Sequence, residues 1–248
     1  MKKWILWTIL TSMCVSIAVH AYSFVEYTGN SGICYKRNEY VCWEERKIKE
    51  NPNYKNLTIF IDLNTKTLEL IHLDDKEILK RYNIASGKED TPSPIGSWKI
   101  IGKGSWGEGF GTRFMALNVP WGKYGIHGTN KPNSIGWASS HGCIRMKNKD
   151  IEELYKIVKV GTPVIIWGGP YGAFGNGFRV IEPGLRGSDV YEVQRYMKKK
   201  GYYPGWVDGI YGEGMKIYVL KFRKDHNLKN THNIDQEFYN ALSIELFE

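Results

Sequence analysis

IHGTNKPNSIGWASSHGCIRM, Ile126 to Met146, brings two glycine-flanked histidines and one cysteine into a single short run. If its ends are extended, His141 and Cys143 lie two apart and project to one face of a strand. Gly142 between them, and Gly128 after His127, leave backbone amides that no side chain covers, so a ligand can come close. The residues from His127 to Cys143 leave room for a loop that sets the two segments side by side. A thiol attacks only as its thiolate, and a free pKa of about 8.5 leaves little of it ionised near neutrality. An adjacent imidazole can take the proton and stabilise the thiolate as an ion pair. His127 and His141 are both candidates for that base, the other supporting substrate or geometry. The amides of Gly142 and Cys143 are candidate oxyanion donors, each of a kind worth about 3 to 4 kcal/mol where such donors have been removed. Arg145, two residues on, shares the face of Cys143 and suits a carboxylate.

His127, His141 and Cys143 are also acceptable zinc ligands, and three protein ligands plus water is a catalytic zinc arrangement. No HExxH or comparable spacing accompanies them, so no metal is expected.

Working outward, the cysteine count makes Cys143 the odd one. The chain has 248 residues and four cysteines. Its first 21, MKKWILWTILTSMCVSIAVHA, set two lysines before an apolar run and end with Val19 and Ala21 at the small-residue positions of a cleavage site. Residues 1–21 are expected to be an export signal that takes Cys14 with it; uncleaved, the segment would be a membrane anchor, the only membrane contact expected. In an oxidising compartment Cys34 and Cys42 are close enough in sequence to pair across a short loop within the segment 22–56. Cys143 then remains unpaired. Loss of Lys2 and Lys3 lowers the formal charge from +8 by two, to +6. A basic exported protein suits an anionic wall polymer or lipid surface, and export separates it from the genome, which excludes nucleic acid as partner.

From Leu57 the pattern turns to strands: LTIFIDL, LELIHL, EILKRYNIAS, then SWKIIG, RFMALNV and YGIHG after the proline-rich TPSPIG. One helix follows the cysteine, with Ile151, Leu154, Tyr155 and Val158 at helical spacing and Asp150 with Glu153 as an expected capping box. TPVIIW returns as a strand. Glycine-rich GGPYGAFGNG, residues 168–177, reads as a linker. Residues 178–248 show helical spacing at Val190, Val193 and Met197 behind an expected Ser188 cap, with a second helix around Lys216 to His226. The expected fold is mixed and mainly β: a β-sandwich-like domain over 57–167 with a flanking helix, and a small all-α module over 178–248. Trp137, between the two histidine segments, is the one aromatic expected to line the site.

At these residues the sequence resembles the L,D-transpeptidase catalytic domain, the YkuD family, in its histidine-glycine, a loop of about a dozen residues, then Ser-His-Gly-Cys, an apolar residue and arginine. The likeness runs from roughly Leu57 to Trp167. It implies Cys143 as nucleophile, His127 as base, the Gly128 carbonyl orienting that imidazole, and Ser140, His141 and Arg145 shaping the acyl-donor pocket. It implies formation of three-to-three cross-links between peptidoglycan stem peptides through a Cys143 thioester that releases D-alanine, with water as acceptor giving an L,D-carboxypeptidase. No cofactor is implied; acylation by carbapenem-type β-lactams is. The expected location is extracytoplasmic, secreted and associated with the cell wall. The tail is similar to three-helix peptidoglycan-binding domains in its glutamine, Gly-Tyr and Asp-Gly-x-x-Gly. It departs from them at Met215, Tyr218 and Arg223. A zinc-dependent wall peptidase and a non-catalytic wall-binding protein are the other two classes these residues leave open.

Overall fold

Period-two alternation of apolar residues builds most of a nine-stranded sheet, seen in a computed structural model that describes residues 56–107 and 109–244, with the backbone of 35–37 and 39–41. The chain divides into two compact units, 1–47 and 48–248. In the first, β1 (Tyr35–Arg37) and β2 (Glu39–Val41) form an antiparallel hairpin. The expected signal segment and the Cys34–Cys42 pair lie outside the described residues.

The second unit begins with β3 (Leu57–Asp62), β4 (Thr67–His72) and β5 (Glu77–Gly87), a meander in which each strand pairs antiparallel with the next. Ile59, Ile61, Leu68, Leu70 and Ile84 alternate onto one face and are fully buried. Each such side chain contributes about 1.5 to 3 kcal/mol by leaving water. β6 (Gly96–Gly104), β7 (Phe114–Leu117) and β8 (Tyr124–His127) form a second antiparallel run. β9 (Ala138–Ser140) and β10 (Ile144–Met146) flank the cysteine, and β11 (Pro163–Trp167) returns between β6 and β3.

The strand order is β10-β8-β7-β6-β11-β3-β4-β5-β9, and β10 also pairs with β5. That extra pairing corrects the expected sandwich. Instead of two sheets packed face to face, the sheet curls until β10 bridges β8 on one side and β5 on the other, closing a barrel-like layer around one core. Closure removes the free edges at the seam, and β9 is appended to β5 by a parallel pairing.

The helix after the cysteine, α1, runs Asn148–Ile157, starting three residues earlier than an Asp150 cap implies. Lys147 precedes it with no side-chain cap, and Asp150 lies inside its first turn, so the predicted capping box does not form. Ile151 and Leu154 bury its apolar face in the barrel core.

The tail has its own core under α2 (Ser188–Lys199), α3 (Glu213–Asp225) and α4 (Gln236–Leu242). Ser188 is the first helical residue rather than the cap, a place taken by Gly187. Residues 168–177 are folded, not free: Phe174 joins the tail core, and a Cβ on Gly168 would meet Ile95 Cδ1 at 2.4 Å. Arg223, where a glutamine was expected of the resemblance, is wholly buried. It holds the loop before α4 through Lys229 and Asn233 carbonyls at 2.7 to 3.1 Å and Asp235 at 2.7 Å. Among the described residues no helix is long and apolar enough to cross a membrane.

Candidate active site

The parallel pairing of β8 with β10 sets Ile126 beside Ile144 and His127 beside Arg145. Ile126 and Ile144 point into the barrel core, so strand alternation turns His127 and Arg145 to the opposite face. Cys143 immediately precedes β10, and the backbone amide of Gly125 faces its sulfur. Cys143, in the bend just before the strand, is two residues from Arg145, the strand partner of His127. Cys143 is a free thiol, partly exposed.

His127 is buried, and Nδ1 lies 2.5 Å from the Gly128 carbonyl oxygen. A carbonyl only accepts, so this contact places a proton on Nδ1, and the Phe110 backbone carbonyl also bears on the ring. Phe114, directly opposite on β7, stacks at 5.8 Å and 18°, and Phe110 presents its edge at 5.0 Å. Exposed Trp106 stacks on Phe114 at 4.3 Å. This aromatic layer was not foreseen. The glycines dispersed through SWGEGFGTRF were its only trace in the sequence.

Burial pushes the His127 pKa down, and the Arg145 guanidinium adds to that. Burial pushes the Cys143 thiol up, opposed by the Gly125 amide and by Arg145. The sulfur also lies 4.0 Å from the Lys123 carbonyl oxygen, which favours S–H over a thiolate. Both shifts favour the neutral form of each group.

The segment His141–Cys143 is a bend with Gly142 at φ 106°, not an extended strand. His141 is therefore exposed and does not share a strand face with Cys143. Ser140, 1% exposed, pins the bend: its hydroxyl donates to the Cys143 carbonyl at 2.6 Å and accepts from the Gly142 amide at 3.0 Å. That bond engages one of the two expected oxyanion donors. Among the described residues the Cys143 amide has no backbone partner. Arg145 donates to the Ser139 carbonyl at 3.3 Å, while its Nε is buried without a partner. Trp137 is 69% exposed, at the entry to β9.

Two further residues shape the site without a sequence signal. Tyr124 lies so close to the bend that a Cβ on Gly142 would be 2.6 Å from its ring. Asn148 Oδ1 accepts from the Thr112 amide at 3.2 Å and would be 2.2 Å from a Cβ on either Gly111 or Gly128. Both glycines are needed for the loop, the histidine segment and α1 to meet there. Among the described residues no three His, Cys, Asp or Glu side chains converge as a metal-holding group.

Comparison with known proteins follows the two cores. The family model described as "L,D-transpeptidase catalytic domain" matches residues 56–166, and that described as "Putative peptidoglycan binding domain" matches 186–242. The Bacillus licheniformis protein named "Putative L,D-transpeptidase YkuD" is 44% identical over 117 residues, covering 47% of this chain and 68% of that protein. Its Bacillus subtilis namesake is 44% identical over 112 residues, 45% of this chain and 65% of the relative, so the match spans about two thirds of these proteins. A solved "L,D-transpeptidase from Mycobacterium smegmatis" is similar at 24% identity and TM-score 0.39, covering 45% of this chain and 58% of the other.

Proposed function

Because the chain belongs to the L,D-transpeptidase (YkuD) family, we propose that it acylates Cys143 with the stem tetrapeptide of peptidoglycan and passes the acyl group to a second stem, making a three-to-three cross-link. His127 Nε2 takes the thiol proton as the sulfur attacks the carbonyl of the third residue at its L-configured centre. The tetrahedral oxyanion draws on the Cys143 amide, with the Gly142 amide joining only by giving up Ser140. The intermediate collapses, the C–N bond breaks, and D-alanine leaves with the proton held by His127. The side-chain amine of an acceptor's diamino acid then attacks the thioester, returning a proton to restore the thiol. Water in that place gives an L,D-carboxypeptidase.

The observation that supports this reading is a free sulfur just before β10, the strand that pairs with β8 and so sets Arg145 beside His127, whose Nδ1 proton is tied to a carbonyl. The buried, unpartnered Nε of Arg145 supports a carboxylate-bearing donor, since a desolvated guanidinium gains most from an anion. His141 and Trp137, both exposed, are assigned to the outer wall of the donor site. The tail binds the wall polymer, the protein works outside the cytoplasm at the cell wall, and carbapenem-type β-lactams acylate the same sulfur.

Intact-protein mass spectrometry after incubation with a disaccharide-tetrapeptide tests this. A thioester adduct is expected in the wild type, absent in Cys143→Ala and much reduced in His127→Ala. A folded wild type that gives neither adduct nor product overturns it.

A further inference from the structure

Trp121 sits on the connection between β7 and β8, yet it is only 4% exposed. Part of its cover comes from the barrel: Trp98 meets it edge-on at 5.2 Å. The rest comes from the helical module. Tyr191 of α2 lies 5.6 Å from the Trp121 ring and 5.8 Å from Trp98. The backbone of Gly209 presses on the same ring so closely that a Cβ there would stand 2.3 Å from it.

The placement of Gly209 is built. Gln194, fully buried, accepts from the amides of Asp208 and Gly209 at 3.0 and 2.7 Å and donates to Asp208 Oδ1 and the Ile210 carbonyl at 2.9 and 3.0 Å. The glutamine and Asp-Gly that give the tail its resemblance to wall-binding modules thus shape a surface that faces the barrel. At the other end of the same short segment stands the cysteine. The Lys123 carbonyl is 4.0 Å from its sulfur, and the Tyr124 ring, 6.3 Å from Trp121, lies against the Gly142 bend.

We propose that the C-terminal module is a positioning element of the active site: Tyr191 and Gly209 seat Trp121, and Trp121 holds residues 121–124 as the wall against which Cys143 is presented. The module acts through Trp121 and touches neither the sulfur nor the donor. An independent wall-binding tether would not need an aromatic joint with the barrel two residues from the sulfur's carbonyl neighbour. The inference rests on Cys143 being the nucleophile.

The test compares full-length wild type, Tyr191→Ala and Tyr191→Phe in three measurements: acylation of Cys143 by the disaccharide-tetrapeptide, alkylation of Cys143 by iodoacetamide across pH, and retention on purified sacculi. Loosening the joint is expected to slow acylation at least tenfold at saturating donor. It is expected to speed alkylation severalfold and move its pH profile downward, because the sulfur loses part of its desolvation. Sacculus retention stays at the wild-type level, and Tyr191→Phe restores both rates. A general loss of fold would also slow acylation and expose the sulfur, so a wild-type urea midpoint, retained sacculus binding and rescue by Tyr191→Phe are what set the positioning role apart from unfolding. If the alanine chain does not fold, Tyr191→Leu, which keeps much of the buried volume, is read in its place. Wild-type rates of acylation and alkylation in the folded variant overturn the proposal, as does slower acylation that tracks loss of sacculus binding. Should wild type itself form no adduct, the nucleophile assignment fails, and unchanged alkylation in the variant would separately refute the positioning role.

Discussion

Arg145 stands directly opposite His127 across the parallel pairing of β10 with β8, two residues beyond Cys143. A single guanidinium therefore acts on both groups proposed to exchange the proton. It disfavours an imidazolium and favours a thiolate, lowering both pKa values. For His127 it adds to burial, and for Cys143 it works against burial. Both groups are thereby favoured in their neutral forms, which suits the proposed transfer of the thiol proton to His127 as attack begins.

The pH dependence of Cys143 alkylation follows. With the folded thiol above its ordinary value, the iodoacetamide rate is expected to rise about tenfold per pH unit from neutrality to beyond pH 8.5, with no plateau before that point. Arg145→Gln removes an interaction that lowers the pKa, so its profile moves further alkaline. A plateau below pH 8, or an acid shift in the variant, would contradict the assignment.

Stability responds to the same two groups in opposite windows. The folded His127 binds its proton less readily than the unfolded one, so the unfolded chain is protonated first as pH drops through about 6.5, and stability falls from there toward the folded pKa. The Cys143 contribution is present at neutral pH and fades as pH rises past about 8.5, where the unfolded thiol ionises while the folded one does not. Urea midpoints measured across pH are expected to show both flanks, and Cys143→Ala to lose the alkaline one.

Gly142→Ala combines a positive φ of 106° with a Cβ 2.6 Å from the Tyr124 ring. The strained backbone alone costs about 1 to 3 kcal/mol. The displaced ring shifts the wall beside Cys143, so acylation is expected to drop about a hundredfold or more, for which a misplacement of about 1 Å suffices. Chemical denaturation and single-turnover acylation read the two effects separately.

Asn148→Ala leaves the Thr112 amide without its acceptor. An orphaned buried donor costs about 1 to 3 kcal/mol, which urea unfolding would register. Asn148→Asp keeps an acceptor oxygen and is expected to lose less.

Arg223→Ala takes the guanidinium from Asp235 and from two carbonyls in the interior of the tail. Asp235 is partly exposed and regains water, but the carbonyls left without a donor cost about 1 to 3 kcal/mol. The thermal transition of the chain is expected to fall or to split, the tail melting first.

Period two made the strands legible, because Ile59, Ile61, Leu68 and Leu70 must alternate if one face is to be buried. Barrel closure had no such local trace. It depends on Arg145 finding Ala85 and Met146 finding Ile84, and nothing in either short segment names its partner. The same division runs through the site. His127, Cys143 and Arg145 stood out by residue type and spacing, and the structure pairs Arg145 with His127 across adjacent strands, with Cys143 in the bend just before. His141 was misplaced because Gly142 breaks the strand that the alternation argument assumed. Tyr124, Asn148 and Trp121 gave no signal, since each acts through a close approach that only the assembled chain creates.

β10 is the strand that joins the two ends of the curled sheet, and Cys143 is the residue before it. Its partners on β5 and β8 come from opposite ends of the strand order, so seating it means closing long loops late, after the meander and the second antiparallel run exist. Until then the sulfur is an ordinary solvated thiol. The chemistry proposed for Cys143 is consequently latent in an incomplete chain, and the seating of β10 is the step that would arm it.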